Sequence, residues 1–62
     1  MLKIGSKVKL KNNVIVGRKY GGLILERKHM FDGVLTVEWL NNEGLIKLSN
    51  GRYYTRNMLF EV

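Results

Sequence analysis

Apolar and charged side chains alternate strictly from Lys7 to Lys11 (KVKLK), sending Val8 and Leu10 to one face of a strand and Lys7, Lys9 and Lys11 to the other. This period of two predicts a half-buried strand with a basic outer face. Asn12 and Asn13 tolerate left-handed backbone and interrupt the alternation, and the apolar run from Val14 to Val16 then predicts a bend or bulge. After Asp32-Gly33 comes VLTVEWL, rich in β-branched and aromatic residues, whose alternation puts Leu35, Val37 and Trp39 on one face. Asn41 to Gly44 (NNEG) predicts a turn and LIKLS another strand. Asn50-Gly51 is a tight-hairpin signal, and RYYT returns antiparallel from it. The terminal RNMLFEV starts with a helical turn and closes on Met58, Leu59 and Phe60.

Between the first strand and VLTVEWL the chain spends about twenty residues in a long arm, more than a compact domain gives to plain loop. Its middle, LILERKHMF, has helical spacing at Leu23, Glu26, Arg27 and Met30, yet the run is short and follows Gly22 with no N-cap. We read it as extended, then turning. Four or five short strands, tight hairpins, a long first connection and a late helical turn predict a small all-β, SH3-like barrel spanning residues 1–62 as a single domain. An OB-fold needs more length; a three-stranded sheet with a helix is the competing architecture.

Composition narrows the chemistry. The chain has 62 residues, 45% of them hydrophobic and 26% charged, the proportions of a folded domain. At this size folding buries only about 60% of the unfolded chain's surface, so an oligomer is one available source of extra stability. Eleven Lys and Arg against five Asp and Glu give a net charge of +6, which favours anionic partners. With no cysteine and one histidine, a disulfide framework and a two-histidine metal site are both unavailable within the chain, and no cofactor is expected. The N-terminus, MLKIGSKVKLK, has no signal-peptide pattern, and no apolar segment approaches the ~20 residues of a membrane span, so a cytoplasmic protein without a membrane partner is expected.

The succession IGSKVKLK, VGRKYGGL, Met30-x-x-Gly33-x-x-Thr36-Val37-Glu38-Trp39 and YYTRNMLFEV resembles the YorP-like small SH3-like proteins of phages and prophages over nearly the whole chain. Gly5 and Val8 match the family's opening, Tyr20, Gly21 and Gly22 its loop, Gly33 and Val37 its strand, and Tyr54, Thr55 and Met58 its ending. Ser6 departs from the pattern by replacing an acidic residue, leaving a hydroxyl to make a weaker version of the turn bond. The resemblance implies an SH3-like fold, a phage origin and a bacterial host cytoplasm. It supplies no catalytic residues.

Catalysis finds no foothold in the residues themselves. His29 is the only imidazole and reads as a partly exposed loop residue, Ser6 and Ser49 lack a nucleophile-elbow context, and Asp32, Glu38 and Glu43 show no pairing pattern. No enzyme is expected. GRKYGG fails the phosphate-loop template because its cations precede the glycine pair. It leaves a choice between an anion nest around Gly21 and Gly22 and a backbone role in which those glycines take positive φ while Tyr20 packs over the barrel; the second is the stronger.

The basic stripe carries more. Lys7, Lys9 and Lys11 share a strand face, Arg18 and Lys19 extend the charge along the arm, and Arg52 and Arg56 flank Tyr53 and Tyr54 in the last hairpin. Cations that hold phosphates beside aromatics that stack bases suit single-stranded nucleic acid, alone or in a nucleoprotein complex. The bland reading is that lysines guard a strand edge and tyrosines fill a core. The other functional class is a host-protein inhibitor, with Tyr20, Trp39, Tyr53 and Tyr54 lining a groove between the arm and the neighbouring hairpin. Oligomeric sequestration of a small phosphorylated ligand is a third.

Overall fold

The computed structural model describes residues 2–62. Its strands are β1 (Lys7–Leu10), β2 (Lys19–Tyr20), β3 (Leu23–Ile24), β4 (Leu35–Leu40), β5 (Leu45–Leu48), β6 (Tyr53–Thr55) and β7 (Leu59–Glu61), with 3-10 turns at Arg27–His29 and Arg56–Met58. Five strands form one antiparallel sheet in the order β6-β5-β4-β1-β7, and β2 pairs with β3 in a separate two-stranded ribbon. A long arm between the first two strands of the main sheet, tight hairpins after them and a single 3-10 turn before the closing strand make this a small SH3-like barrel.

Strand parity builds the core. Val8 on β1, Val37 on β4, Ile46 and Leu48 on β5, Tyr54 on β6 and Leu59 on β7 all turn inward, and Leu25 from the arm and Met58 from the second 3-10 turn close the interior. Lys7 and Lys9 turn outward, as alternation requires.

Parity fails once, and the failure matters. Val37 pairs with Leu48, yet Leu40 pairs with Ile46, so three steps on β4 oppose two on β5. The extra residue is a β-bulge around Glu38. Downstream of it the side-chain phase inverts: Val37 is buried, whereas Glu38 and Trp39 are both exposed. Trp39 therefore leaves the face that simple alternation assigned it with Leu35 and Val37.

The turns follow local chemistry. Asn41 Oδ1 accepts the N–H groups of Glu43 and Leu45, each at 3.0 Å, closing the turn before β5. In the arm, Gly21 (φ +59) and Gly22 (φ +91) are the two central residues of the hairpin between Tyr20 and Leu23. Positive φ at both positions marks the mirror-image turn that matches strand twist, and glycine is the residue that adopts it freely. A Cβ on Gly21 would also lie 3.2 Å from Cβ of Thr55.

The chain bends where the asparagines predict it: β1 ends at Leu10, turns fall at Asn12–Asn13 and Val16–Gly17, and Ile15 and Val16 are exposed, although the asparagines bend without left-handed backbone. His29 is buried, 5% exposed, because the first 3-10 turn presses its ring on Tyr54. Ser6 keeps its turn: its Oγ accepts the Lys3 N–H at 3.0 Å, and its own N–H donates to the Lys3 carbonyl at 3.0 Å. Among the described residues no helix is long and apolar enough to cross a membrane.

Candidate nucleic-acid interface

The bulge on β4 assembles a row of side chains on the outer face of the sheet. Trp39 pairs with Lys47, and Lys47 pairs with Tyr53, so three adjacent strands present Trp, Lys and Tyr at one level. The outer strands lie two strand spacings apart, about 9.5 Å. The ring centroids of Trp39 and Tyr53 are only 6.2 Å apart, at an interplanar angle of 43°, so the rings lean toward each other over the half-buried Lys47. Trp39 is 43% exposed and Tyr53 40%, leaving aromatic surface open to a ligand, with Lys47 on the strand between them.

β1 carries the second basic element of this face. The Lys7 ammonium donates to Thr36 Oγ1 at 2.8 Å, which fixes it over β4, and Lys9 pairs with the exposed Phe60 of β7. Across the bulge Trp39 lies two ladder steps from Thr36 toward one end of the face, and Lys9 lies two steps from Lys7 toward the other. The two groups are thus separated by about 13 Å along the strands, with Lys7 between them. Among the described residues the one ion pair is Lys28–Glu26, at 3.5 Å, so Lys7, Lys9, Lys47 and Arg52 have no carboxylate partner to offset their charge.

The remaining candidates lie elsewhere. Lys11 is half-buried, its N–H donating to the Met58 carbonyl. Arg18 and Lys19 are exposed on the arm, outside the main sheet's ladder, so they do not prolong the β1 stripe by strand pairing. Arg56 is exposed on the second 3-10 turn, and Arg52 beside the last hairpin. Tyr20 is half-buried, its hydroxyl accepting the Ile15 N–H at 2.8 Å, and it serves the arm. Tyr54 is fully buried: its hydroxyl donates to the His29 carbonyl at 2.7 Å and accepts from Asn50 Nδ2 at 3.0 Å, and Phe31 and His29 meet its ring edge-on. It is a core residue and leaves the list of aromatic contacts. Lys47 should join the list; it stands between two inward residues in LIKLS, so its outward phase was readable.

The four predicted aromatics do not meet in one groove beside the arm: Tyr54 is buried, Trp39 and Tyr53 lean together on the outer face, and Tyr53 alone of the four borders the cleft between the arm and the last hairpin. The depression of about 230 Å³ between the Gly21-Gly22 tip and the turn at 41–44 is lined by Leu23, Asn41, Glu43, Leu45 and Thr55 besides the two glycines. Thr55 Oγ1 pins that tip by donating to the Tyr20 carbonyl at 2.8 Å.

A second cleft, of about 310 Å³, opens where the arm meets β6. The arm supplies Leu23, Glu26, Lys28 and His29; the hairpin supplies Gly51, Arg52 and Tyr53. His29 Nδ1 accepts the Glu26 N–H at 2.9 Å, which requires that nitrogen to be unprotonated. Burial lowers the His29 pKa below 6.5, so the neutral ring is the resting form, and burial raises the Tyr54 pKa above 10.0.

No protein-family model matches the chain, and neither the curated proteins nor the solved structures contain a match. The class rests on the fold alone: a small SH3-like barrel.

Proposed function

We propose that this protein is a non-enzymatic binding module of phage type whose outer sheet face holds single-stranded nucleic acid, alone or within a nucleoprotein complex. The observation that carries the reading is the exposed Trp39–Lys47–Tyr53 row. Base stacking on such rings contributes about 1–3 kcal/mol per base and tolerates any sequence. Lys47 within the row and Lys7 and Lys9 beyond it supply phosphate contacts unopposed by carboxylates, and the net charge of +6 supports encounter with a polyanion. Binding of a fluorescent oligonucleotide, measured across a salt series, tests it. Affinity should fall steeply as salt rises, and Lys47→Glu and Lys9→Glu should each weaken it; absent or salt-indifferent binding would sink the reading.

The second reading is an inhibitor that docks on a host protein. What favours it is β7, a free sheet edge carrying Phe60 at 38% and Val62 beyond it at 61% exposure. A nuclease-treated pull-down should then retain one stoichiometric protein, lost with Phe60→Asp and kept with Trp39→Ala.

A further inference from the structure

The cleft between the arm and β6 offers donors that the outer row does not use. Because Nδ1 of His29 is an acceptor, the proton of the neutral ring sits on Nε2. No buried side-chain nitrogen or oxygen lacks a partner among the described residues, and no protein group accepts from Nε2, so this N–H reaches solvent through the cleft that the ring lines. The edge of β6 adds main-chain groups. Leu48 N–H donates to the Arg52 carbonyl at 3.1 Å, which turns that peptide's carbonyl toward β5, while the Arg52 N–H donates to Asn50 Oδ1 at 3.1 Å. Alternation then makes Tyr53 and Lys47 a non-bonded pair, which turns the Tyr53 N–H and C=O away from β5 toward the free edge. Gly51, at φ +82, has no side chain to keep a ligand from the backbone there.

Charge and shape give the ligand its chemistry. Arg52 is exposed and has no carboxylate partner, and Lys28 stands at the rim, its ammonium 3.5 Å from Glu26. The unpaired Arg52, a neutral imidazole N–H and a free main-chain N–H form a donor set for a compact anion, and Lys28 adds a second cation whose charge Glu26 partly offsets. Leu23 and Tyr53 line the same cleft. Tyr53 belongs to both places: its ring leans toward Trp39, and it borders the donors.

We propose that this cleft seats a phosphate monoester carried on a nucleoside, the terminal phosphate of the strand lying on the Trp39–Tyr53 row. In that form the assignment rests on the strand-binding reading, and a free nucleotide is the other source of the same chemistry. Fluorescence anisotropy with short oligothymidylates ending in 5′-phosphate, 3′-phosphate or hydroxyls, beside an amide NMR titration with thymidine monophosphate, separates the sources. One phosphorylated end should bind about tenfold tighter than the hydroxyl form. Arg52→Gln and Lys28→Gln should erase that preference, whereas Trp39→Ala should weaken all three strands alike. Strand binding with no end preference, or a preference that survives both substitutions, overturns the cleft and leaves the row standing. If no strand binds but the mononucleotide shifts the Gly51 and His29 amides in an Arg52-dependent way, the cleft stands with a free nucleotide and the strand reading falls. Neither end preference nor shifts overturns it for both sources.

Discussion

Tyr53 and Tyr54 are adjacent on one strand and chemically identical, yet they belong to different parts of the molecule. Tyr54 turns inward, is fully buried, and ties the arm to the last hairpin through its hydroxyl. Tyr53 turns outward, keeps 40% of its surface, and leans over Lys47 toward Trp39. One step along a strand converts a structural tyrosine into an available one, so in a domain this small residue type says little about role until the phase of the strand is known.

The sharpest test of this contrast is truncation. Tyr54→Ala should cost about 3–5 kcal/mol of unfolding free energy, enough to unfold much of the population, whereas Tyr53→Ala should stay within about 0.5 kcal/mol while losing strand affinity. Chemical denaturation read by circular dichroism distinguishes them; equal losses would abolish the distinction. Next in size is deletion of Glu38, which removes the extra residue and leaves an unbroken ladder: Trp39 then follows Val37 directly and stays outward opposite Lys47, with Leu40 opposite Ile46. The cost should be about 0.5–3 kcal/mol, and the tryptophan emission should remain that of an exposed ring. A blue shift on deletion would show that the phase of Trp39 is not set by its pairing with Lys47.

A smaller change leaves the ring in place. Tyr54→Phe strips the hydroxyl from between the His29 carbonyl and Asn50 Nδ2, for an expected loss of about 1–3 kcal/mol in the denaturation midpoint analysis with the fold retained. The mildest effect is that of pH. The folded His29 pKa lies below 6.5, so as pH falls the unfolded chain takes up a proton first. The stability from the neutral ring is present above about pH 6.5 and is lost progressively below it, down through the folded value. Protonating Nδ1 would also turn an acceptor into a donor facing the Glu26 N–H. Tyr54 works in the opposite direction: its folded pKa is raised, so its contribution holds below pH 10.0 and declines above it. His29→Gln should flatten the acid limb of a thermal melting series; an unaltered limb would assign it to other groups.

The difference between these neighbours also marks what could be read from the chain. Alternation in KVKLK, the Asn50-Gly51 hairpin and the long arm are local signals, and the barrel follows from them. The Gly21-Gly22 turn was equally legible, since two consecutive glycines allow the positive φ that a two-residue hairpin needs. The bulge was not, because its phase change exists only in the pairing of β4 with β5. Without it Trp39 reads as core-facing and the row has no centre. His29 was misplaced for a related reason: its burial depends on a tyrosine 25 residues further along the chain. Lys47 was visible and passed over because the lysines of β1 formed the more obvious stripe.

The pairing of β1 with β7 sets the order in which this chain can mature. Val8 meets Glu61, Lys9 meets Phe60 and Leu10 meets Leu59, so the first strand made waits for the last before its free edge is covered. On a ribosome the sheet cannot close until residues 59–61 have left the exit tunnel. Such distant pairings slow folding, placing barrels of this kind in the range of about milliseconds to seconds. Until closure Val8 and Leu10 lack the strand that shields them, so the nascent chain carries an open edge until β7 has emerged and paired.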